Sequence, residues 1–201
     1  MTTTARSGGK DFPIAPVGTA IARCYQVIDL GNQKVIWKEK EKWQPKILLT
    51  WELLTGDRME DGRPFAISNR YTLSLSDKSI LGPMLEAWRG KSFTDDERQG
   101  FDIQNVLGAY CMLNVIHNTV GDKTYANISA VMALPKGTTK PDPVNETLYF
   151  NMDEDDIEDL PEWIANIIKK SKEYLEQDEP QQEETRKPAG QFQDMDDDIP
   201  F

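Results

Sequence analysis

From Phe65 to Leu75, apolar and polar residues alternate with almost no break. Phe65, Ile67, Tyr71, Leu73 and Leu75 fall on one side; Ala66, Ser68, Arg70, Thr72 and Ser74 fall on the other. A period of two belongs to a strand with one wet face, and a helix cannot sort residues in that way. Lys46 to Leu54 repeats the pattern, with Ile47, Leu49, Trp51 and Leu53 in phase. Val17 to Leu30 is rich in strand formers, and Gly31-Asn32 predicts a turn after it. Tyr110 to Asn118 and Lys123 to Ala133 read as two more strands, joined by the hairpin signal Thr119-Val120-Gly121-Asp122. Between the third and fourth strands, Lys78 to Gly90 spaces Leu81, Leu85 and Trp88 along one helix face, and Gly90 ends it. Asp102 to Leu107 predicts a second, short helix.

Five strands with a helix between the third and fourth is the order of the OB-fold. That fold is a partly open, five-stranded Greek-key barrel, which binds oligonucleotides on its strand 2–3 face and through its 1–2 and 4–5 loops. Another small barrel or a sandwich fits the same pattern. The expected class is therefore mainly β, with an OB-fold over residues 12–140 after a disordered stretch at 1–11. Pro135 to Pro143 reads as a linker. Beyond the acidic run Asp153–Asp159, residues Leu160, Ile164, Ile167, Ile168, Ser171 and Leu175 line one face of an amphipathic helix running to about Gln177. Pro161 in its first turn and Lys169, Lys170 and Lys172 further along suit the helix dipole. A lone helix of this length is marginal in water, so it must dock on the barrel or on another subunit. Residues 141–178 thus form linker and helix, and 179–201 a disordered acidic tail.

Charge divides the chain in the same place. The net charge is −11, yet residues 1–140 carry 18 Lys and Arg against 15 Asp and Glu, while 141–201 carry 5 against 19. A mildly basic body bears an acidic arm, so nucleic-acid binding would rest on a local patch and on stacking. Cys24 and Cys111 sit far apart in apolar runs and read as buried thiols. With one histidine, His117, no His/Cys metal centre is expected. The acids at 153–156 lack the glycine and spacing of a calcium loop. No nucleotide-binding or hydrolase motif is present, and no cofactor, metal or enzymatic activity is expected. Met1 to Ser7 has no apolar signal core and no apolar run spans a bilayer, which predicts a soluble, cytoplasmic protein.

Lys34 to Lys46 interleaves Lys34, Lys38, Lys40, Lys42 and Lys46 with Trp37 and Trp43, between the first two strands. Lysines track phosphates and aromatics stack on bases, so this segment reads as a DNA-gripping 1–2 loop. Glu39 and Glu41 support the rival reading, a self-neutralised hairpin whose tryptophans join the core. Arg70, on the open polar face of strand three, is either a phosphate or base contact or a solvated residue. Arg23 and Tyr25 on strand one carry the same two readings. Tyr125, near the 4–5 turn, is either a stacking or a core residue. Trp51, Trp88 and Trp163 are expected in the core, and His117 is expected to be structural.

The chain closes on Asp196-Asp197-Asp198-Ile199-Pro200-Phe201, an acidic hook with one aromatic, after a Gln/Glu/Pro-rich tether from Pro180 to Gln193. This ending resembles the acidic tip of bacterial and phage single-stranded-DNA-binding proteins. The resemblance covers Met195 to Phe201. It implies an OB-fold that coats and protects single strands during replication, recombination or repair. It also implies that Asp196, Asp197, Asp198, Ile199, Pro200 and Phe201 recruit a polymerase, helicase, primase or recombinase. For a phage protein the compartment would be the cytoplasm of the bacterial host. The body does not match the bacterial family strand by strand, and the helix at 160–177 is an addition. The alternative is a protein-binding adaptor or DNA mimic, whose acidic tail occupies a partner's DNA site. The sequence leaves the oligomeric state open.

Overall fold

The computed structural model describes residues 13–76 and 78–178. Five antiparallel strands lie in the order β3-β2-β1-β4-β5: β1 Gly18–Trp37, β2 Lys40–Leu53, β3 Ala66–Thr72, β4 Tyr110–Val120 and β5 Lys123–Met132. A short β6, Leu148–Phe150, runs parallel to β1 through Gln26–Ile28. Helix α1, Leu81–Arg89, stands between β3 and β4 and buries Leu81, Leu85 and Trp88, as their spacing predicts. Gly90 ends it in a left-handed conformation at φ 67°. Helix α2, Asp95–Gln99, opens with a capping box between Thr94 and Glu97, and a 3₁₀ turn follows at Ile103–Val106. The outermost strands, β3 and β5, approach within 8 Å between Cα atoms, but no ladder joins them among the described residues.

The two faces of the sheet carry separate cores. On the inner face Trp51 is fully buried, edge-on to Tyr71 at 6.5 Å and tilted against Trp88 at 5.7 Å. Cys24, Leu49, Leu85, Cys111, Leu113 and Val131 complete that layer. On the outer face Ile28, Leu30 and Leu48 are covered by Phe150, Leu160, Ile164 and Ile168. Each such side chain contributes about 1.5–3 kcal/mol of burial. The segment after β5 therefore docks on the sheet, as a marginal helix must. No helix among the described residues is long and apolar enough to cross a membrane.

Four local expectations are corrected. Gly31-Asn32 is not a turn: β1 runs through it with a bulge between Asp29 and Asn32, and Gly31 supplies the left-handed residue at φ 66°. The segment 34–46 is not a loop but two paired strands. The C-terminal helix is broken into α3, Glu162–Ile168, and α4, Lys172–Asp178, because Ser171 Oγ accepts from Tyr174 N and caps a new start. Trp163 is 53% exposed rather than core, because α3 turns Ile164 and Ile168 to the sheet instead.

Candidate nucleic-acid interface

The far halves of β1 and β2 form a ribbon that extends beyond the rest of the sheet. Residues 32–37 pair with 45–40, and β3 joins β2 only from Lys46 onward. The ribbon closes in a two-residue turn, Lys38-Glu39, with both residues at positive φ (49° and 61°). That is the twist a tight hairpin demands, obtained here without the usual glycine. Strand alternation then sorts the Lys/Glu/Trp sequence by face. Trp37 lies opposite Lys40, Val35 opposite Lys42 and Gln33 opposite Gln44. These share a face with Lys46, whose neighbours in β3 are Thr72 and, two residues on, Arg70. The other face carries Lys34 opposite Trp43 and Ile36 opposite Glu41.

Charge is thereby segregated. Glu41 is removed from the Lys40/Lys42 face and binds Lys34 at 2.7 Å on its own side. The first face holds Trp37, Lys40, Lys42, Lys46 and Arg70 with no carboxylate among its register positions from 33 to 37, 40 to 48 and 70 to 72; the next acid in phase, Glu52, is buried with Arg23. Trp37 is 64% exposed, with Lys38 Nζ 5.8 Å from its ring centre. Trp43 is 39% exposed and points the opposite way. The two tryptophans therefore cannot stack on one track of bases.

At the base of this face, Leu30, Gln33, Lys34, Val35, Lys46 and Arg70 line a cavity of about 280 Å³. Lys46 Nζ donates to Gln44 Oε1 at 3.0 Å and to Thr72 Oγ1 at 2.6 Å. Burial, and then the charge of Arg70, push the Lys46 ammonium below the ordinary lysine value. Beside it, Thr50 and Ser68 share a hydroxyl hydrogen bond of 2.9 Å across β2 and β3.

Other candidates lie elsewhere. Arg23 is 7% exposed, and its Nε donates to the fully buried Glu52 at 2.6 Å. Glu52 also accepts from Asn145 N at 2.9 Å and Asn145 Nδ2 at 2.7 Å. This buried pair fastens the C-terminal segment to the sheet. Sequence reading missed Glu52, although an acid on the polar phase of an apolar strand was the available signal. Tyr25 is half-buried beside a bulge of β1, and burial and Glu52 push its hydroxyl pKa up. Tyr125 is 48% exposed on the β4–β5 hairpin. That hairpin projects past the opposite end of β1, where Gly18 pairs with Val115, so Tyr125 is not brought to the ribbon. His117 Nε2 is 2.7 Å from Ala15 O, a structural contact. No cluster of metal-ligating residues occurs among the described residues. Asp196 to Phe201 lie outside the described residues.

The chain matches no protein-family model, and a search of curated proteins finds no match.

Proposed function

We propose that this chain binds single-stranded DNA on the Trp37/Lys40/Lys42/Lys46/Arg70 face. The observation that carries this reading is the segregation of charge: alternation sends Glu41 to the other side of the ribbon, leaves Glu39 in the turn, and gives one side a basic, aromatic-bearing track. Lysines on such a track neutralise phosphates, and an exposed tryptophan offers a stacking surface to any base. The sheet is read here as a partly open OB barrel. Its strand order and the approach of β3 to β5 support that reading, since β3 beside β5 would complete the ring. The face lies on strands two and three and the 1–2 hairpin, where that fold holds oligonucleotides. In this reading the protein coats and protects exposed single strands, and the acidic segment 196–201, which resembles the tip of phage and bacterial single-stranded-DNA-binding proteins, recruits replication or repair proteins.

Titration with oligo-dT tests the proposal. Tryptophan fluorescence is expected to quench on binding. With about 4 phosphate contacts, log K falls against log salt with a slope near −3. Unchanged fluorescence with no binding, or tighter binding to duplex than to single strands, overturns it. Failure to bind DNA, coupled with capture of a DNA-binding protein at its DNA site, would favour the adaptor reading. The 19 acidic residues in 141–201 are what keep that reading in play.

A further inference from the structure

Lys46 and Arg70 stand side by side, from adjacent strands, with no carboxylate lining the cavity between them. Folding gains nothing from such a pair, since partial burial and the neighbouring Arg70 charge both disfavour the Lys46 ammonium. The Lys46 side of the pair is nevertheless fixed. Two hydrogen bonds hold the Lys46 ammonium, and its third N–H has no partner among the described residues. The Arg70 side chain has no hydrogen-bond or ion-pair partner among the described residues, so its five N–H donors are available. Glu41, the nearest acid in the ribbon sequence, is committed to Lys34. Leu30 and Val35 supply apolar wall, which strengthens any charge interaction beside it. An anion with several acceptor oxygens would satisfy both cations at once.

We propose that the Lys46–Arg70 cavity is a seat for one phosphate group, which fixes where a bound strand lies relative to Trp37. The assignment to a nucleic-acid phosphate rests on the single-stranded-DNA reading above. The cation pair itself does not. One seat made by two residues has a signature that two independent contacts lack. Each phosphate contact on a single strand contributes about 0.7 to the salt slope. Lys46→Gln and Arg70→Gln should each weaken binding of an oligo-dT of about 16 nucleotides, the upper site size of one such domain. Each should lower the slope by about 0.7, and the double variant should lower it no further. Lys40→Gln, outside the seat, should add its own loss to either. Thermal melts confirm that every variant is folded.

A double variant that loses about twice the slope of either single would overturn the shared seat in favour of two separate phosphate contacts. Unchanged slopes in both singles would overturn it outright. Pyrophosphate titration, followed by the side-chain NMR signals of Lys46 and Arg70, separates this proposal from the DNA reading. Saturable shifts of both signals without oligo-dT binding keep the seat and reject the nucleic acid. No shift, in a protein that also shows no slope change, rejects the seat.

Discussion

Trp37 and Trp43 are six residues apart and read alike in sequence, yet the register sends them to opposite faces. Only Trp37 shares its face with Lys40, Lys42, Lys46 and Arg70. Trp37→Ala is therefore expected to cost about 1–3 kcal/mol of oligo-dT affinity, the contribution of one stacked base. Trp43→Ala should leave affinity within a factor of about 3, less than one good stacking contact. Parallel fluorescence titrations check this, and equal losses from both would mean that the ribbon inserts between bases. Much of this face was legible. Alternation alone puts Lys40, Lys42 and Lys46 in phase, and opposite Glu41. The obstacle was reading 34–46 as a loop, which erases phase. That Arg70 would stand beside Lys46 was not legible, because cross-strand register depends on loop length and bulges, and neither follows from composition. Arg23 failed as a surface candidate for a related reason: its partner Glu52 is fixed by register, and its cover, Asn145, is 122 residues away in sequence.

The bulge at Gly31 joins two elements. Gly31 has φ 66°, and a Cβ there would meet Met152 Sδ at 2.7 Å, Ser171 Cβ at 2.8 Å and Glu173 Oε2 at 2.9 Å. The start of α4 thus presses on the bulge, and Glu173 accepts from Asn32 N at 2.9 Å and also from its side-chain amide. Gln33 Nε2 adds a bond of 3.0 Å to Ile167 O. Gly31→Ala imposes a left-handed conformation on a residue with a side chain, about 1–2 kcal/mol, and also forces these neighbours apart. A lower melting midpoint is expected, with faster proteolysis inside 151–178 and the sheet intact. Unaltered proteolysis of that segment would show that α4 docks without the bulge. The existence and apolar face of the C-terminal helix were legible from its period. The break was not read, because the period continues across Ser171, although a serine inside a helical pattern is also a start signal.

The inner core gives the folded protein a distinct response to base. Burial raises the Cys24 thiol from its ordinary value of 9.0 to about 12. Cys111 is raised too, first by burial and then by Cys24. Burial likewise lifts the Tyr71 hydroxyl above its ordinary value of 10.0. Each group is held protonated in the fold and ionises freely when unfolded. Their contribution is therefore fully present below pH 9.0 and is lost progressively as pH rises toward about 12. Thermal melts across that window are expected to fall steadily, and thiol labelling of the native protein should be slow throughout. A flat alkaline limb with rapid labelling would mean that the thiols are reached by solvent. The five antiparallel strands, the helix between β3 and β4 and the core positions of Trp51 and Trp88 were legible in the sequence, whereas β6 fell in the segment read as linker. The second, outer core was not, because a short apolar helix does not say which surface it will cover.

The ribbon has one further consequence. Residues 32–37 of β1 and 40–44 of β2 each leave one side without a ladder partner among the described residues. Two open edges on a projecting hairpin are a template for fibrous growth, copy upon copy. Here Lys40 and Lys42 set like charge on one edge, and Pro45 follows them with no N–H to offer. The lysines that would grip a phosphate backbone are therefore also what holds neighbouring copies apart. On the proposed function, solubility and grip would draw on the same charges, and a bound strand that neutralised them would also strip the edges of their protection.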